Sequence, residues 1–242
     1  MLSVVIPAHN EEHELPRTLK ALADALAAIA VPSEIVVVDD ASSDRTAACA
    51  VAAGARVVPV AVRQIAAARN LGAAAARGEW LLFVDADTRV SPQVVGDAVE
   101  ALRAGVAGGG AQVRFEPPVP FWGRIYLALF MVVWRPLGHA AGCFLFARRA
   151  DFEAVGGFDE RYYASEEIWL SKALRARGRW TVLRSCVHTS GRKLRMHSAL
   201  GILGTAVRLL WGGPRAWQKR EGMDLWYDGR RESSSGLPPE QG

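Results

Sequence analysis

Two aspartates separated by one residue are the first candidates for chemistry in this sequence. Asp85 and Asp87 directly follow the apolar run WLLFV, which has the composition of a buried strand. Two carboxylates this close together can converge on one hard divalent cation, and phosphate oxygens of a substrate can complete its coordination. A pair of aspartates in a turn is also common, so the alternative is an ordinary solvated turn.

A second acidic pair follows another apolar run. Asp39 and Asp40 end the run EIVVV, where a carboxylate can accept hydrogen bonds from the base or ribose of a nucleoside. The alternative is that Asp40, Ser42 and Ser43 cap the next helix, and the two roles are compatible. Binding of NAD is disfavoured, because residues 7–9 read PAH where the glycines of a G-x-G-x-x-G loop would admit a pyrophosphate.

The elements that must position these carboxylates alternate between strand and helix. The runs LSVVIP, EIVVV, RVVPV and WLLFV predict strands, and the segments between them predict helices over residues 15–29, 44–53 and 65–76. This order predicts an α/β fold with a Rossmann-like, mostly parallel sheet and helices on both faces. Ligands of such sheets bind beyond the carboxyl ends of the strands, where the acidic pairs stand.

The second half of the chain has a less regular pattern. We expect one domain over residues 1–228, with a nucleotide-binding half (1–90) and an acceptor half (91–228), followed by a disordered tail (229–242). A helix opens at Pro92 behind the cap Ser91, and three glycines at 108–110 are expected to break the chain before the run AQVRF. Further expected elements are helices at 121–134, 166–177 and 198–211 and strands at 143–147 and 180–183.

Composition excludes several classes of protein. A chain of 242 residues with 50% hydrophobic and 22% charged residues can bury one substantial core. Its three cysteines lack CxxC spacing, which argues against disulfide frameworks and structural zinc. No signal peptide is evident, and the longest uncharged apolar run, residues 125–134, is too short to span a bilayer. We therefore expect a cytoplasmic protein, with the inner face of the membrane as the alternative location.

Basic residues are concentrated near the end of the chain. Between Arg184 and Arg231 there are ten Lys or Arg residues against three acidic residues. This excess favours an anionic partner, either a diphosphate or an acidic membrane surface. Nucleic acid is not expected, because no nucleic-acid-binding motif accompanies the charge. A solvated basic face without a partner is the remaining alternative.

Four sequence blocks together resemble one known family. The blocks are VVIPAHNEE, VVVDDASSD, AARNLGAAAARGEWLLFVDADT, and GGFDE followed by EEIW, in this order over residues 3–190. In identity, order and spacing they resemble the family 2 glycosyltransferases, which have the GT-A fold. The resemblance implies transfer of a sugar from a nucleoside diphosphate sugar, with Mn²⁺ or Mg²⁺ as cofactor.

The resemblance also implies roles on the donor side. The residues implied to form the nucleoside pocket are Pro7, Ala8, Asn10, Glu12 and Asp40, the last against the base. Arg69 matches the arginine of the family's ARN block and is expected near the donor phosphates.

The same resemblance assigns the metal site. Asp85 and Asp87 match the family's metal and diphosphate motif, with Asp87 as the direct ligand. His188 stands where some GT-A enzymes place a metal-binding histidine. A structural role for His188 is the alternative.

The acidic pair Glu166 and Glu167 matches the position of the family's general base. Most relatives have Glu-Asp here, and the second residue takes the proton of the acceptor hydroxyl. The substitution of glutamate leaves either residue as the base, and a solvated first helical turn is the non-catalytic alternative. One base without a second carboxylate nucleophile would give inversion at the anomeric carbon.

Four further residues are candidates on the acceptor or phosphate side. Gly142 matches small residues near the donor sugar, and Trp169 is expected either to stack on a sugar ring or to be core. Arg192 and Lys193 are expected to clamp phosphates. The segment 120–135, with tryptophans near both ends, is either a buried helix or an element lying in a membrane interface.

The sequence thus predicts an inverting, metal-dependent glycosyltransferase. The expected donor carries UDP, with GDP as the alternative, and the acceptor is a glycan, a lipid-linked molecule or a small molecule. The absence of a QxxRW motif favours single additions over processive synthesis. The alternative function is a nucleotide-binding regulatory or scaffold protein with an inactive transferase fold.

Overall fold

The computed structural model describes residues 1–123, 140–196, 198–221 and 223, except for the side chains of residues 193, 206, 209, 210, 214 and 215. The strands are β1 (Leu2–Ala8), β2 (Ser33–Asp40), β3 (Arg56–Val60), β4 (Trp80–Val84), β5 (Thr88–Arg89), β6 (Gly108–Phe115), β7 (Phe144–Arg148) and β8 (Trp180–Thr189). The helices are α1 (Leu15–Ile29), α2 (Thr46–Ala52), α3 (Ile65–Ala75), α4 (Pro92–Arg103), α5 (Arg149–Ala154), α6 (Glu166–Arg177), α7 (Arg192–Met196) and α8 (Ala199–Trp217).

One mixed sheet organises these elements. Its strand order is β3-β2-β1-β4-β7-β6-β8-β5. The first four strands along this order are parallel, whereas β7 runs antiparallel to both β4 and β6. The α/β prediction is therefore confirmed, and the sheet becomes mixed where the second half of the chain joins it, since β6 and β8 are again parallel. Parallel strands deliver the loops after β1, β2 and β4 to one edge of the sheet.

Helices cover both faces of the parallel part of the sheet. Val4 and Ile6 belong to a core cluster with residues of α1 and α4, whereas Val5 belongs to a second cluster with residues of α3. Successive side chains of a strand point to opposite faces. Strands buried on both faces are therefore apolar at every position, which explains their continuous rather than alternating pattern.

Helix α3 lies unusually close to the sheet. A Cβ atom at Gly72 would lie 2.4 Å from Val5 Cγ1 and 2.7 Å from Val38 Cγ2, closer than packed carbon atoms approach. Glycine at this position therefore brings the helix backbone against β1 and β2. This contact fixes the height of Arg69 and Asn70, which precede Gly72 on the same helix.

The expected break at residues 108–110 was wrong, because these glycines lie inside β6. A Cβ atom at Gly109 would lie 2.2 Å from the carbonyl oxygen of Thr181, and one at Gly110 would lie 2.3 Å from Ala140 Cβ. The glycines therefore permit close strand packing rather than a turn.

Other expectations have mixed outcomes. Helices α1 and α6 have the expected bounds, whereas β8 continues to Thr189 instead of ending at residue 183. Most of the expected 121–134 helix and the whole 229–242 tail lie outside the described residues. Within the described ranges, no helix combines the length and the apolar character that crossing a bilayer requires.

Candidate active site

The loops after β1 and β2 are joined by hydrogen bonds. The backbone N–H of Asn10 donates to Ser42 Oγ at 3.0 Å, and that of Ser43 donates to Asn10 Oδ1 at 2.8 Å. The N–H of Glu12 donates to Asp44 Oδ2 at 3.1 Å. Asn10 has a φ of 54°, a left-handed conformation that asparagine tolerates better than most residues. The loop that carries the expected pocket residues is therefore held by its neighbour.

Asp40 fixes a third loop at the same edge. Its Oδ1 accepts hydrogen bonds from the backbone N–H groups of Val62 and Arg63, at 2.8 and 2.9 Å. Its carbonyl oxygen lies 2.8 Å from Nδ1 of His9. One carboxylate oxygen therefore orders the segment after β3. The expected contact between Asp40 and a nucleoside base stays a prediction, as do the pocket roles of Pro7 and Ala8, the last two residues of β1.

Arg69 joins the two halves of the chain at the centre of the site. Its Nη2 donates to Asp85 Oδ1 and to the carbonyl oxygen of Gly142, both at 2.8 Å, and its Nη1 donates to Glu166 Oε1 at 2.6 Å. The guanidinium also lies 5.2 Å from the ring centre of Phe158. Burial alone would lower the pKa of Arg69, but the charges of Asp85 and Glu166 raise it above its usual range. The arginine is thus a permanent cation between two carboxylates.

The two glutamates of the acidic pair have different surroundings. Glu166 is buried and forms an ion pair with Arg69, which also pairs with Asp85. Glu167 makes no ion pair within the described part of the chain, and a Cβ atom at Gly142 would lie 3.6 Å from its Cδ. Burial, together with the negative charge of Glu166, raises the pKa of Glu167 to about 8. Glu167 therefore has a higher proton affinity than an ordinary glutamate, and it lies beside Gly142.

Asp87 belongs to a second buried cluster. Its Oδ2 lies 3.1 Å from Arg192 Nη2, and its Oδ1 accepts from the Thr189 hydroxyl at 3.4 Å. Arg192 also contacts Glu11, with Nη1 2.6 Å from Oε2. Burial alone would lower the pKa of Arg192, but Asp87 and Glu11 raise it. The prediction that Arg192 reaches the diphosphate region is consistent with this position beside Asp87.

His188 is not brought to the two aspartates. Its side chain is exposed, whereas those of its neighbours Val187 and Thr189 are buried. Side chains alternate along a strand, so His188 faces away from the side on which Thr189 contacts Asp87. The structure therefore gives no support to His188 as a metal ligand.

Trp169 is engaged by protein groups. Its ring stacks on Tyr162 with centroids 5.0 Å apart and planes 13° apart, and Lys172 Nζ lies 4.8 Å from the ring centre. This packing corresponds to the core alternative for Trp169 rather than to an open sugar platform. The side chain of Lys193 lies outside the described residues.

Asp85 and Asp87 are the candidate carboxylates for a divalent cation. Among the described residues, no three His, Cys, Asp or Glu side chains form a group that could hold a metal ion. Mg²⁺ and similar ions are commonly bound by one or two carboxylates, with substrate phosphates and water supplying the other oxygens. Asp85 is 31% exposed and so can be reached by such a complex. The two aspartates therefore fit a metal that arrives with its diphosphate.

Several residues of the site were not singled out from the sequence. Glu11 and Thr189 contact Arg192 and Asp87, and the Cys143 thiol lies close enough for Asp85 and Asp87 to add to the effect of burial in raising its pKa. Glu11 lies three residues after the end of β1, and this position was a usable signal. The position of Thr189 depends on strand register, which the sequence does not reveal.

Asn70 holds residues 155–161 between α5 and α6, which we call the cleft loop. Its Oδ1 accepts from the N–H of Phe158 at 2.9 Å, and its Nδ2 donates to the carbonyl oxygen of Phe158 and to Glu160 Oε1, also at 2.9 Å. Asn70 and residues 155–161 line an open cleft of about 350 Å³. Two adjacent residues of α3 therefore have separate roles: Asn70 supports the cleft, and Arg69 contacts the acidic pair through Glu166.

Residues 3–156 match the family described as Glycosyl transferase family 2. Among curated proteins, an undecaprenyl-phosphate 4-deoxy-4-formamido-L-arabinose transferase of Pseudomonas aeruginosa (strain LESB58) is 35% identical over 178 residues, covering 66% of this chain and 51% of that protein. A 4,4'-diaponeurosporenoate glycosyltransferase of Staphylococcus haemolyticus (strain JCSC1435) is 31% identical over 150 residues, covering 59% and 36%. The chain spans about half the length, or less, of these relatives.

Solved structures show the same fold at low sequence identity. S. aureus TarS in complex with UDP has a TM-score of 0.61 and 19% identity, covering 94% of this chain and 78% of that one. Glucosyl-3-phosphoglycerate synthase from Mycobacterium tuberculosis, in complex with Mn²⁺, UDP and glucosyl-3-phosphoglycerate, has a TM-score of 0.59 and 23% identity, covering 87% and 77%. The GT-A fold expected from the sequence is therefore confirmed.

Proposed function

This chain belongs to glycosyl transferase family 2, and from that premise we propose that it transfers a sugar from a nucleoside diphosphate sugar to an acceptor hydroxyl with inversion, one addition at a time. The transferase unit would comprise residues 1–228. Complexes of structural neighbours with UDP support UDP as the nucleotide, with GDP as the alternative.

The arrangement around Arg69 carries this proposal. Asp85 comes from the nucleotide half and Glu166 from the acceptor half, and the buried guanidinium contacts both within 2.8 Å. A donor diphosphate at Asp85 and an acceptor at the acidic pair would therefore lie on either side of one fixed cation. Proximity of two bound reactants is itself a large part of catalysis.

Glu167 is the proposed general base. Glu166 forms an ion pair with Arg69, whereas Glu167 has no such partner among the described residues and binds a proton more readily than an ordinary glutamate. A base whose pKa lies near the working pH can accept the proton as the acceptor oxygen attacks. The proton would move from the acceptor hydroxyl to a carboxylate oxygen of Glu167.

The departing diphosphate would be stabilised opposite this base. Held by Asp87 with Asp85, Mn²⁺ or Mg²⁺ would supply a Lewis acid for the charge that develops on the leaving group. Arg192, already beside Asp87, would add a cation that remains charged at all working pH values.

A lipid-linked acceptor is the best supported of the three acceptor classes. The printed name of the Pseudomonas aeruginosa relative refers to undecaprenyl-phosphate, a lipid carrier. We therefore propose an acceptor carried on a lipid, with glycans and small molecules as the alternatives.

Donor turnover by the purified chain tests the proposed function. Release of nucleoside diphosphate would be measured for UDP- and GDP-sugars with and without Mn²⁺, in the presence of polyprenol-linked acceptors. Metal-dependent turnover of one donor that Glu167→Gln abolishes would support the proposal. Metal-dependent binding without any turnover would instead favour the inactive scaffold.

A further inference from the structure

One face of α8 exposes large apolar side chains without a described partner. Leu200, Leu203, Val207 and Trp211 follow one another at intervals of three or four residues and are 81%, 53%, 41% and 85% exposed. Residues with this spacing lie on one side of an α-helix. We call this stripe the α8 face.

The opposite side of α8 contacts the protein. Ile202 is 3% exposed and is the one buried side chain among those described for this helix. The helix begins behind Ser198, whose Oγ accepts from the N–H of Gly201 at 3.1 Å. Helix α8 is therefore seated by one side, which leaves the α8 face directed away from the core.

Basic residues outnumber acidic ones around the α8 face. From Ser198 to Glu221 the sequence has four basic residues, Arg208, Arg215, Lys219 and Arg220, and one acidic residue, Glu221, whose carbonyl oxygen accepts from Arg208 Nη1 at 2.8 Å. A helix with Leu and Trp on one side and Lys or Arg elsewhere is typical of segments that lie in the plane of a membrane interface. Tryptophan is also favoured at the boundary between lipid and water.

The same charges argue against a second copy of this chain as the partner. A symmetric dimer would place the α8 face against itself and bring like charges together. An anionic bilayer offers both an apolar layer for Trp211 and negative headgroups for Lys219. From this combination we propose that the α8 face docks on an anionic lipid bilayer.

Both ends of α8 are connected to the candidate active site. Its N-terminal end follows α7, which begins with Arg192 beside Asp87. Near its C-terminal end, the carbonyl oxygen of Trp217 accepts a hydrogen bond from the N–H of Tyr163 at 2.7 Å. Tyr163 precedes Glu166 by three residues. A bilayer held at α8 would thus lie close to both halves of the site. The docking itself stands independently of the reaction, although its use for a lipid-linked acceptor rests on the proposed function.

Co-sedimentation with vesicles tests the proposal. The full chain is incubated with vesicles of phosphatidylcholine alone or mixed with phosphatidylglycerol, and the bound fraction is measured at low and high salt. The wild type is expected to bind the anionic vesicles and to lose binding in high salt. Failure to bind anionic vesicles would overturn the proposal.

Matched variants connect the binding to the α8 face. The double variant Leu203→Ser, Trp211→Ser is expected to lower the partition coefficient by about tenfold or more, because two exposed apolar groups no longer enter the lipid. The control Val51→Ser, Leu71→Ser changes two exposed apolar residues on α2 and α3 and should bind like the wild type. Equal binding by the α8 double variant would overturn the proposal.

Two further measurements separate the alternatives. Light scattering after gel filtration would reveal a dimer, and a dimer that the α8 double variant abolishes would assign the face to a second copy and overturn the membrane proposal. Thermal stabilisation by UDP with Mn²⁺ should be equal in wild type and double variant. If the wild type did not bind UDP, the proposed function would be contradicted, whereas the vesicle result would be unaffected.

Discussion

Arg192 and Glu11, which are 181 residues apart in the chain, form a buried two-pronged ion pair beside the second aspartate of the metal motif. The pair connects the loop after β1 to α7. It holds a cation at Asp87 before any ligand binds, so one guanidinium offsets part of the charge of two carboxylates in the free protein.

Removing Glu11 is expected to destabilise the fold. In Glu11→Ala, Arg192 would keep only Asp87 as a described acidic partner, and breaking a buried ion pair costs about 3–5 kcal/mol. Because Asp87 remains, we expect a loss toward the lower end of this range, measured by urea denaturation. The control Lys20→Ala removes an exposed pair with Asp24 and should change stability by less than about 1 kcal/mol. Equal stabilities of the two variants would contradict a structural role for the pair.

Asp87→Ala should abolish metal-dependent nucleoside diphosphate binding. The carboxylate is the expected direct ligand of the cation, so UDP should no longer bind more tightly when Mn²⁺ is present. Calorimetric titration with and without Mn²⁺ measures this difference. Asp24→Ala, at an exposed position on α1, serves as the control. Retained Mn²⁺-dependent binding in the Asp87 variant would remove the metal assignment.

Glu167→Gln should separate binding from transfer. The amide keeps the shape of the side chain but cannot accept the acceptor proton, so kcat should fall by about 10²–10⁴-fold. The KM for the donor should stay close to that of the wild type. Glu153→Gln changes an exposed carboxylate on α5 and should leave both constants unaltered. If transfer survives in the Glu167 variant, another group is the base.

Activity should increase with pH through an unusually high range for a glutamate. The base must be ionised, and burial beside Glu166 raises the pKa of Glu167 to about 8 in the free chain. The profile of kcat/KM should therefore rise up to about pH 8 rather than level off near pH 5. A plateau already reached near pH 5 would contradict the assignment.

The same pKa shift has a consequence for stability. A carboxyl group whose pKa is raised on folding favours the folded state when protonated, and this contribution is lost as pH rises toward the folded-state pKa. The wild type should therefore lose stability between about pH 5 and 8 relative to Glu167→Gln. If the difference in unfolding free energy between the wild type and Glu167→Gln stayed constant across this pH range, the prediction would be contradicted.

Gly157 and Gly54 form a matched pair for testing the cleft loop. Both have positive φ, 73° and 77°, but a Cβ atom at Gly157 would lie 2.6 Å from Asn70 Oδ1, whereas one at Gly54 would meet nothing within 4 Å. Gly54→Ala should cost about 1 kcal/mol for the backbone conformation alone. Gly157→Ala should cost about 1–3 kcal/mol more, because it also disturbs the hydrogen bonds of Asn70. Equal losses in thermal denaturation would show that the loop yields to the added methyl group.

The donor side of the site was largely predictable from local sequence. Polar residues follow β1, β2 and β4, and they meet because parallel strands direct their carboxyl ends to one edge of the sheet. The bounds of α1 followed from its apolar spacing. The link between Glu11 and Arg192 was not predictable, since nothing local connects residues 181 positions apart.

His188 shows a second limit of sequence reasoning. Its orientation depends on the register of β8, and a change of one residue reverses the face on which a side chain lies. In the structure, β6 pairs with β8 through a register shift between Gly110 and Gln112. Such an irregularity depends on how two distant segments meet, so the sequence of β8 alone could not assign His188 to a face.

The contact of Gly72 with Val5 and Val38 is a common support for the acidic pair, through Arg69, and for the cleft loop, through Asn70. A larger side chain there would lift α3 from the sheet and move Arg69 and Asn70 in the same direction. The acidic pair and the cleft loop would then shift together, although they belong to different stretches of the chain. Attempts to redesign acceptor preference should therefore leave Gly72 untouched and vary the cleft loop, because any change in the seating of α3 would alter donor and acceptor alignment at once.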